Sequence, residues 1–108
     1  MSDLKYWEAR AAAAKPESRM FINGKFVDAA SGETFDDISP RDQHLITKIA
    51  AGDTEDVNRA VAAAKTSFDS GVWSEMNPRD KKAIMLKWSQ LILEHKEELA
   101  LLDRKSVV

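Results

Sequence analysis

One segment of this sequence is apolar on two opposite sides of a predicted helix. Asn77 is a favourable N-cap residue, and Pro78 suits the first helical position, where its missing N–H costs no hydrogen bond. At helical spacing, one broad face carries five apolar side chains, those of Ile84, Met85, Trp88, Leu91 and Ile92. Leu86 and Leu93 lie on nearly the opposite side. A helix with two apolar sides needs two packing partners, and this need constrains the fold strongly.

The sequence offers an obvious partner for only one of these sides. After Gly52 the pattern predicts a helix that Asp53 or Thr54 caps, with one apolar stripe made of Val57, Ala60, Val61, Ala64 and Phe68. We expect the broad face to pack on this preceding helix. Beyond the thin stripe of Leu99 and Leu102, nothing faces the second side. We therefore expect chain outside this sequence to cover Leu86 and Leu93.

The first half of the sequence predicts a helix and then strands. Residues 3–15 favour a short helix, which Pro16 ends. Two apolar pairs flank Asn23-Gly24, the strongest short hairpin signal, because both turn residues accept a positive φ. A second hairpin is predicted from strands at residues 34–38 and 45–50. The fragment alone is thus predicted to be α+β, with two hairpins and three to four helices.

Composition excludes several classes of function. The 108 residues carry 16 basic and 18 acidic side chains and no basic stripe, so we expect no nucleic-acid partner. No apolar run approaches the ~20 residues that span a bilayer, and no secretory signal is visible, so we expect no membrane partner and a cytoplasmic location. The absence of cysteine removes disulfides, thiolate metal sites and a thiol nucleophile.

A series of short motifs resembles the start of the NAD(P)-dependent aldehyde dehydrogenases. In order they are Phe21-Ile22-Asn23-Gly24, Gly32-Glu33-Thr34-Phe35, Ser39-Pro40, Asp56-Val57, Ala60-Val61-Ala62-Ala63-Ala64, Phe68, Trp73, Ile84 and Glu97-Glu98-Leu99-Ala100. The resemblance covers about residues 6–102, which is roughly a fifth of a family member of ordinary length. Tyr6-Trp7 and Ser39-Pro40 are similar to the branch that acts on γ-glutamyl-γ-aminobutyraldehyde.

The resemblance implies an α/β parent fold with a Rossmann-like cofactor domain, a catalytic domain and an oligomerisation arm, assembled as a homodimer or homotetramer. It implies that the parent uses NAD or NADP. A cysteine would attack the aldehyde, hydride would pass to the nicotinamide, and a glutamate would activate the water that hydrolyses the thioester. These residues correspond to positions beyond residue 108. We therefore assign no catalytic or cofactor-binding residue here, and expect an inactive fragment, with no bound cofactor, whose partner is the rest of the subunit.

The resemblance also implies half of a monovalent cation site. Relatives often bind such a cation through oxygens of the residues matching Asp37 and Ile38, completed by an aspartate. That aspartate aligns with Ser106 here, so the site is incomplete. Because hard cations need several converging oxygens, we expect little occupancy in this chain alone.

The resemblance divides the chain into three parts. Residues 1–18 are the N-terminal helix and linker, residues 19–102 are the incomplete N-terminal part of the cofactor-binding domain, and residues 103–108 are a tail that departs from the family pattern. One reading frame of a widely used sequencing adapter encodes this hexapeptide, so we interpret the tail as an artefact of reading from a library fragment into the adapter, which would make the sequence a truncated gene model. The alternative is a natural basic helix end, because Arg104 and Lys105 suit a helix C-terminus.

Other candidate residues favour structural interpretations. His44 and His95 lack neighbours at metal-ligand spacing, and Trp73 and Trp88 are expected to pack in a core rather than stack on a cofactor. The adjacent acids Asp36-Asp37 and Glu97-Glu98 point to different faces and are poorly placed to share a proton or flank a substrate. Lys81-Lys82 is expected to be a solvated face, although many relatives carry arginine at the position of Lys81.

Three hypotheses for function remain. The first is the N-terminal fragment of an aldehyde dehydrogenase. The second is a stand-alone interaction module that docks through the Leu86 and Leu93 side. The third is a regulatory or decoy subunit that joins full-length relatives.

Overall fold

The computed structural model describes residues 3–104 of the chain, and for residue 104 it describes the backbone alone. Four helices and four short strands follow one another as α1 (Leu4–Ala13), β1 (Met20–Ile22), β2 (Lys25–Val27), β3 (Thr34–Ile38), β4 (Leu45–Ala50), α2 (Thr54–Asp69), α3 (Pro78–Glu94) and α4 (Lys96–Arg104). The α+β composition predicted for the fragment is confirmed. None of the described helices combines the length and apolar content needed to cross a membrane.

Helix α1 packs against helix α4 at the far end of the described chain. Its N-cap is Asp3, whose carboxylate accepts a hydrogen bond from the backbone N–H of Tyr6 at 2.9 Å. The Tyr6 hydroxyl donates to Glu97 Oε2 at 2.9 Å, and Arg10 lies 3.6 Å from the same carboxylate. Leu101 is only 5% exposed, which makes it the apolar anchor of α4. The first and last helices of the described residues are thereby joined.

The first hairpin has the predicted turn. Strands β1 and β2 pair in antiparallel register around Asn23 and Gly24, whose φ angles are 53° and 75°. Both angles are positive, as a type I′ turn requires. The rings of Phe21 and Phe26 lie 5.3 Å apart on this hairpin, and strand β1 contacts helix α2.

The second hairpin pairs β3 with β4 and contains an irregularity at one end. Asp37 is opposite Thr47 but Ile38 is opposite Leu45, so Ile46 is an extra residue on β4. Such a bulge bends the strand locally and interrupts the ladder. In the described residues the two hairpins remain separate two-stranded sheets.

The helix boundaries follow their capping residues. Asp53, and not Thr54, is the N-cap of α2, because its side chain accepts from the N–H of Glu55 at 3.1 Å. Asn77 caps α3 by accepting from the N–H of Arg79 at 2.8 Å. Helix α4 continues through Arg104, past the boundary predicted at residue 102. The rest of the predicted tail, residues 105–108, lies outside the described residues.

The packing is open, and one packing prediction is wrong. Within the described chain the buried apolar side chains are those of Ala29 and Leu101. The radius of gyration is 18.0 Å, whereas a compact domain of this length has about 13 Å. The thinnest dimension is 18 Å. The broad face of α3 does not pack on α2, as the exposure of its five side chains shows. Each is at least 38% exposed: Ile84, Met85, Trp88, Leu91 and Ile92.

Candidate functional site

The candidate cation ligands lie at the bulge of the second hairpin. Asp37 is half-buried near the end of β3, Ile38 is exposed, and the irregular pairing falls between them. The next residue, Ser39, is completely buried, and its N–H donates to the carbonyl oxygen of His44 at 2.9 Å. Ser106, at the position of the completing aspartate, lies outside the described residues. Residues 3–104 contain no cluster of three or more His, Cys, Asp or Glu that could hold a metal ion.

The two pairs of adjacent acids are divided between different partners. Asp36 Oδ1 accepts from Lys48 Nζ at 2.7 Å across the hairpin, while Asp37 points to the other face. Glu97 contacts helix α1, whereas Glu98 Oε2 lies 3.2 Å from His95 Nδ1. Neither pair brings two carboxylates onto one substrate position.

Both histidines have carboxylate neighbours on the surface. His44 contacts Asp42 two residues away, and the side-chain hydrogen bond between them lowers the pKa of Asp42. His95 is the C-cap residue of α3, and its imidazole forms a side-chain hydrogen bond with Glu98. Both imidazoles are exposed. Their geometry suits surface ion pairs better than general-base catalysis, which needs a defined proton donor within reach.

Asp56 forms a polar junction, in which its buried carboxylate joins the start of α2 to the segment after the first hairpin. The sequence placed this residue only at the positive end of the helix dipole. Its side chain is 2% exposed and accepts from the backbone N–H groups of Ala30 and Asp53, both at 3.0 Å. It also contacts the guanidinium of Arg59. The hydrogen bond from Asp53, followed by that from Arg59, lowers the pKa of Asp56. The Asp53-x-x-Asp56 capping-box spacing was the available signal, but it did not reveal the bond to Ala30.

The same junction excludes a dinucleotide phosphate at α2. The turn from β4 through Gly52 into α2 leads from a strand to a helix N-terminus, a common place for phosphate groups. Here the carboxylates of Asp53 and Asp56 already accept from Glu55 N–H and Asp53 N–H. A phosphate at this helix end would meet two negative charges. These residues do not fit the pyrophosphate of NAD or NADP.

The tryptophans and Lys81 differ from their predicted surroundings. Trp73 and Trp88 are both exposed, so neither is packed in a core within the described chain. Lys81 is half-buried, with Nζ 5.6 Å from the centre of the Trp73 ring and 3.4 Å from the carbonyl oxygen of Ser74. The prediction of a solvated Lys81 is therefore wrong, whereas Lys82 is exposed as expected.

The most extensive candidate surface is apolar. On α3, Leu86 and Leu93 are 60% and 67% exposed, and the broad face opposite them is open as well. On α2, Val57, Val61 and Phe68 are exposed on the side away from the first hairpin. The chain exposes 8630 Å², about 2,600 Å² more than the ~6,000 Å² expected of a compact monomer of this mass. The arrangement can bind apolar protein surfaces, and its described polar residues show no catalytic constellation.

Comparison with known proteins identifies the source of these features. A sequence profile of the aldehyde dehydrogenase family matches residues 26–107. The NADP/NAD-dependent aldehyde dehydrogenase PuuC of Escherichia coli (strain K12) is 42% identical over 100 residues, which are 93% of this chain and 20% of that protein. The chain thus spans about a fifth of the length of this relative.

Solved structures of aldehyde dehydrogenases also match this chain. A γ-glutamyl-γ-aminobutyraldehyde dehydrogenase from Burkholderia cenocepacia superposes with a TM-score of 0.91 and 41% identity over 99% of this chain and 24% of that one. The P. syringae indole-3-acetaldehyde dehydrogenase AldA, in complex with NAD+ and IAA, has a TM-score of 0.86 and 49% identity over 91% of this chain and 20% of its own.

Proposed function

Because this chain belongs to the aldehyde dehydrogenase family, we propose that it forms the N-terminal part of an enzyme that oxidises an aldehyde to a carboxylic acid with NAD+ or NADP+. The observation that carries this proposal is the superposition on a complete dehydrogenase over almost the whole described chain, with a TM-score of 0.91. Agreement at 41% identity includes the hairpins, the capped helices and their mutual placement. The function of this chain is then to complete a larger fold.

In this proposal the chemistry lies outside the chain. NAD+ or NADP+ supplies the hydride acceptor when it is bound, and the attacking cysteine and the glutamate that activates water belong to the rest of the subunit. The carboxylates at the start of α2 support this division, because they occupy the N–H groups that a phosphate would need. The partner is the rest of the subunit, in a homodimer or homotetramer, and the cytoplasmic location stays a prediction.

The branch of the family is a separate proposal. Tyr6-Trp7 and Ser39-Pro40 favour the γ-glutamyl-γ-aminobutyraldehyde branch, and the Burkholderia enzyme of that name matches 99% of the chain. The indole-3-acetaldehyde enzyme has a higher identity of 49% over a slightly shorter stretch. We therefore propose an aldehyde substrate without assigning its side chain.

Asp37 and Ile38 are proposed to contribute oxygens to a monovalent cation site that the rest of the subunit completes. The half-burial of Asp37 supports this role. The bulge beside Asp37 and Ile38 bends the hairpin at this point, although its unpaired extra residue is Ile46 of β4. We expect a K+-dependent increase in thermal stability only when the missing chain is present. The same increase with this chain alone would contradict the proposal.

A covalent chimera tests the main proposal. Residues 1–102 replace the matching N-terminal segment of the Burkholderia enzyme, and NADH formation is measured with γ-glutamyl-γ-aminobutyraldehyde. We expect an active chimera, whereas the 108-residue chain alone and the Burkholderia enzyme without its N-terminal segment are expected to be inactive. A soluble, folded chimera with no activity would contradict the assignment, and so would turnover by the chain alone.

A further inference from the structure

The faces of α2 and α3 expose many large apolar side chains. Phe68 on α2 is 73% exposed, and α3 exposes apolar side chains on two opposite sides. The whole chain exposes about 2,600 Å² more than a compact monomer of its mass, polar and apolar surface together, and these faces contribute to that excess. A standard protein interface buries about 1,200–2,000 Å² in total. Burial of apolar surface is a principal driving force for association. These faces are therefore suited to an extensive contact.

The comparison structures contain much additional polypeptide that is available to cover the faces. This chain has the conformation of the corresponding segment in the Burkholderia dehydrogenase, in which about three quarters of the chain lie outside the match. In the P. syringae dehydrogenase about four fifths lie outside it. Over the matched residues the two structures superpose with a TM-score of 0.91. The faces of this chain are thus arranged as in the corresponding segment of the larger family fold.

A second copy of this chain fits the faces less well. An interface between two copies related by a two-fold axis uses one patch on each copy. It would cover either the broad face of α3 or the Leu86 and Leu93 side, and leave the other side exposed. Polypeptide on both sides of α3 can cover both. We therefore favour the remaining dehydrogenase chain as the occupant.

We propose that the 108-residue chain binds in trans, without a covalent link, to the part of an aldehyde dehydrogenase subunit that it does not span. The contact uses both sides of α3, including Leu86 and Leu93, together with the exposed stripe Val57, Val61 and Phe68 of α2. This inference rests on the proposed function. It adds that the two pieces recognise each other when they are separate polypeptides.

The absence of cysteine makes a thiol-labelling test direct. Leu86→Cys and Leu93→Cys place single thiols on the second side of α3, and Glu8→Cys places a control thiol on the side of α1 away from Tyr6 and Arg10. The alkylation rate of each variant is measured by mass spectrometry, alone and with the Burkholderia enzyme lacking its matched N-terminal segment. That truncated enzyme is prepared by co-expression or by refolding with an excess of the chain.

We expect the truncated enzyme to slow alkylation at positions 86 and 93 by roughly tenfold or more, and to leave position 8 nearly unchanged. Equal rates at positions 86 and 93 with and without the truncated enzyme would overturn the inference. Protection that depends only on the concentration of the chain would identify a second copy as the occupant and overturn it too. Precipitation of the truncated enzyme despite an excess of the chain also counts against it. An active covalent chimera together with absent protection in trans would reject this inference and leave the proposed function intact.

Discussion

The contrast between Leu101 and Leu93 gives a quantitative test of the open packing. Both are leucines in neighbouring helices, but Leu101 is 5% exposed and Leu93 is 67% exposed. Truncating a buried leucine to alanine costs about 2–5 kcal/mol. Leu101 borders an open groove that includes Ala13, Ala14 and Pro16, so its surroundings can partly relax. We expect Leu101→Ala to cost about 2–4 kcal/mol of local stability where α1 meets α4.

The matched change at Leu93 should cost much less. Complete burial of a leucine side chain contributes about 1.5–3 kcal/mol, and Leu93 is only about one-third covered. Leu93→Ala should therefore cost at most about 1 kcal/mol. Both variants replace a leucine in a helix by alanine, so the change in side-chain size and in helix propensity is the same in both. The two variants differ only in where the leucine lies.

Native-state hydrogen exchange measures this difference locally, which suits a chain without one continuous core. At tenfold per 1.4 kcal/mol, Leu101→Ala should speed exchange of protected amides in α1 and α4 by roughly 30- to 1000-fold, or until their protection is lost. Leu93→Ala should change exchange in α3 by roughly fivefold or less. Equal losses for the two variants, at concentrations where the chain is monomeric, would show that Leu93 is buried in solution and refute the open packing.

Four further predictions concern single polar or turn residues. Asp56→Asn should speed amide exchange at Ala30 and Asp53, whose N–H groups donate to the Asp56 carboxylate. The control Asp69→Asn, which removes one partner of an exposed ion pair, should leave exchange at these two amides unchanged. Unchanged exchange in both variants would contradict the role of Asp56 as a polar junction. Because the folded-state pKa of Asp56 is lowered, its stabilising contribution should be complete above the pKa of the unfolded chain and be lost as the pH falls through the folded pKa. A protection factor at Ala30, which is the intrinsic exchange rate at each pH divided by the observed rate, that does not fall on acidification would oppose this. Hydrogen bonds from Arg19 lower the pKa of Glu17 to about 2, so Arg19→Gln should return the NMR titration of this carboxyl toward its ordinary range, and an unchanged midpoint would argue against the pair. Gly24→Ala should weaken the first hairpin by about 1 kcal/mol, because the φ of Gly24 is 75° and no atom crowds a Cβ there, so the cost comes from the backbone alone. Gly24→Asn should weaken the hairpin less, as judged from the chemical shifts of the strands. Equal effects of the two variants would count against a backbone origin.

Local structure was predictable where a few adjacent residues determine it. Asn23-Gly24 determines its turn, and the caps at Asp53 and Asn77 determine where α2 and α3 begin. These signals act over three or four residues, so tertiary packing has little opportunity to override them. Even so, the choice between Asp53 and Thr54 needed the structure, because either side chain can cap a helix.

Long-range contacts were predicted less well. The sequence shows that the broad face of α3 needs a partner, but periodicity does not identify that partner, and α2 was the wrong choice. The bond from Asp56 to Ala30 joins residues 26 positions apart, and no local spacing encodes it. Lys81 was misplaced for the same reason, because its contact with Trp73 depends on the path of the loop between α2 and α3. The candidate cation residues depend on chain outside the described residues, so their role stays a prediction.

The 18 Å thickness of the chain limits the proton chemistry that it can perform. A helix with its side chains is about 10–12 Å across, so this dimension leaves little room for a second complete layer. Protonation equilibria here are governed mainly by direct donors, as Asp53 and Arg59 illustrate at Asp56 and Arg19 at Glu17. An acid or base tuned by a water-poor environment needs protein on every side. Asp56 is already covered by this chain, whereas the exposed carboxylate of Glu17 would reach such an environment only when another polypeptide layer covers it.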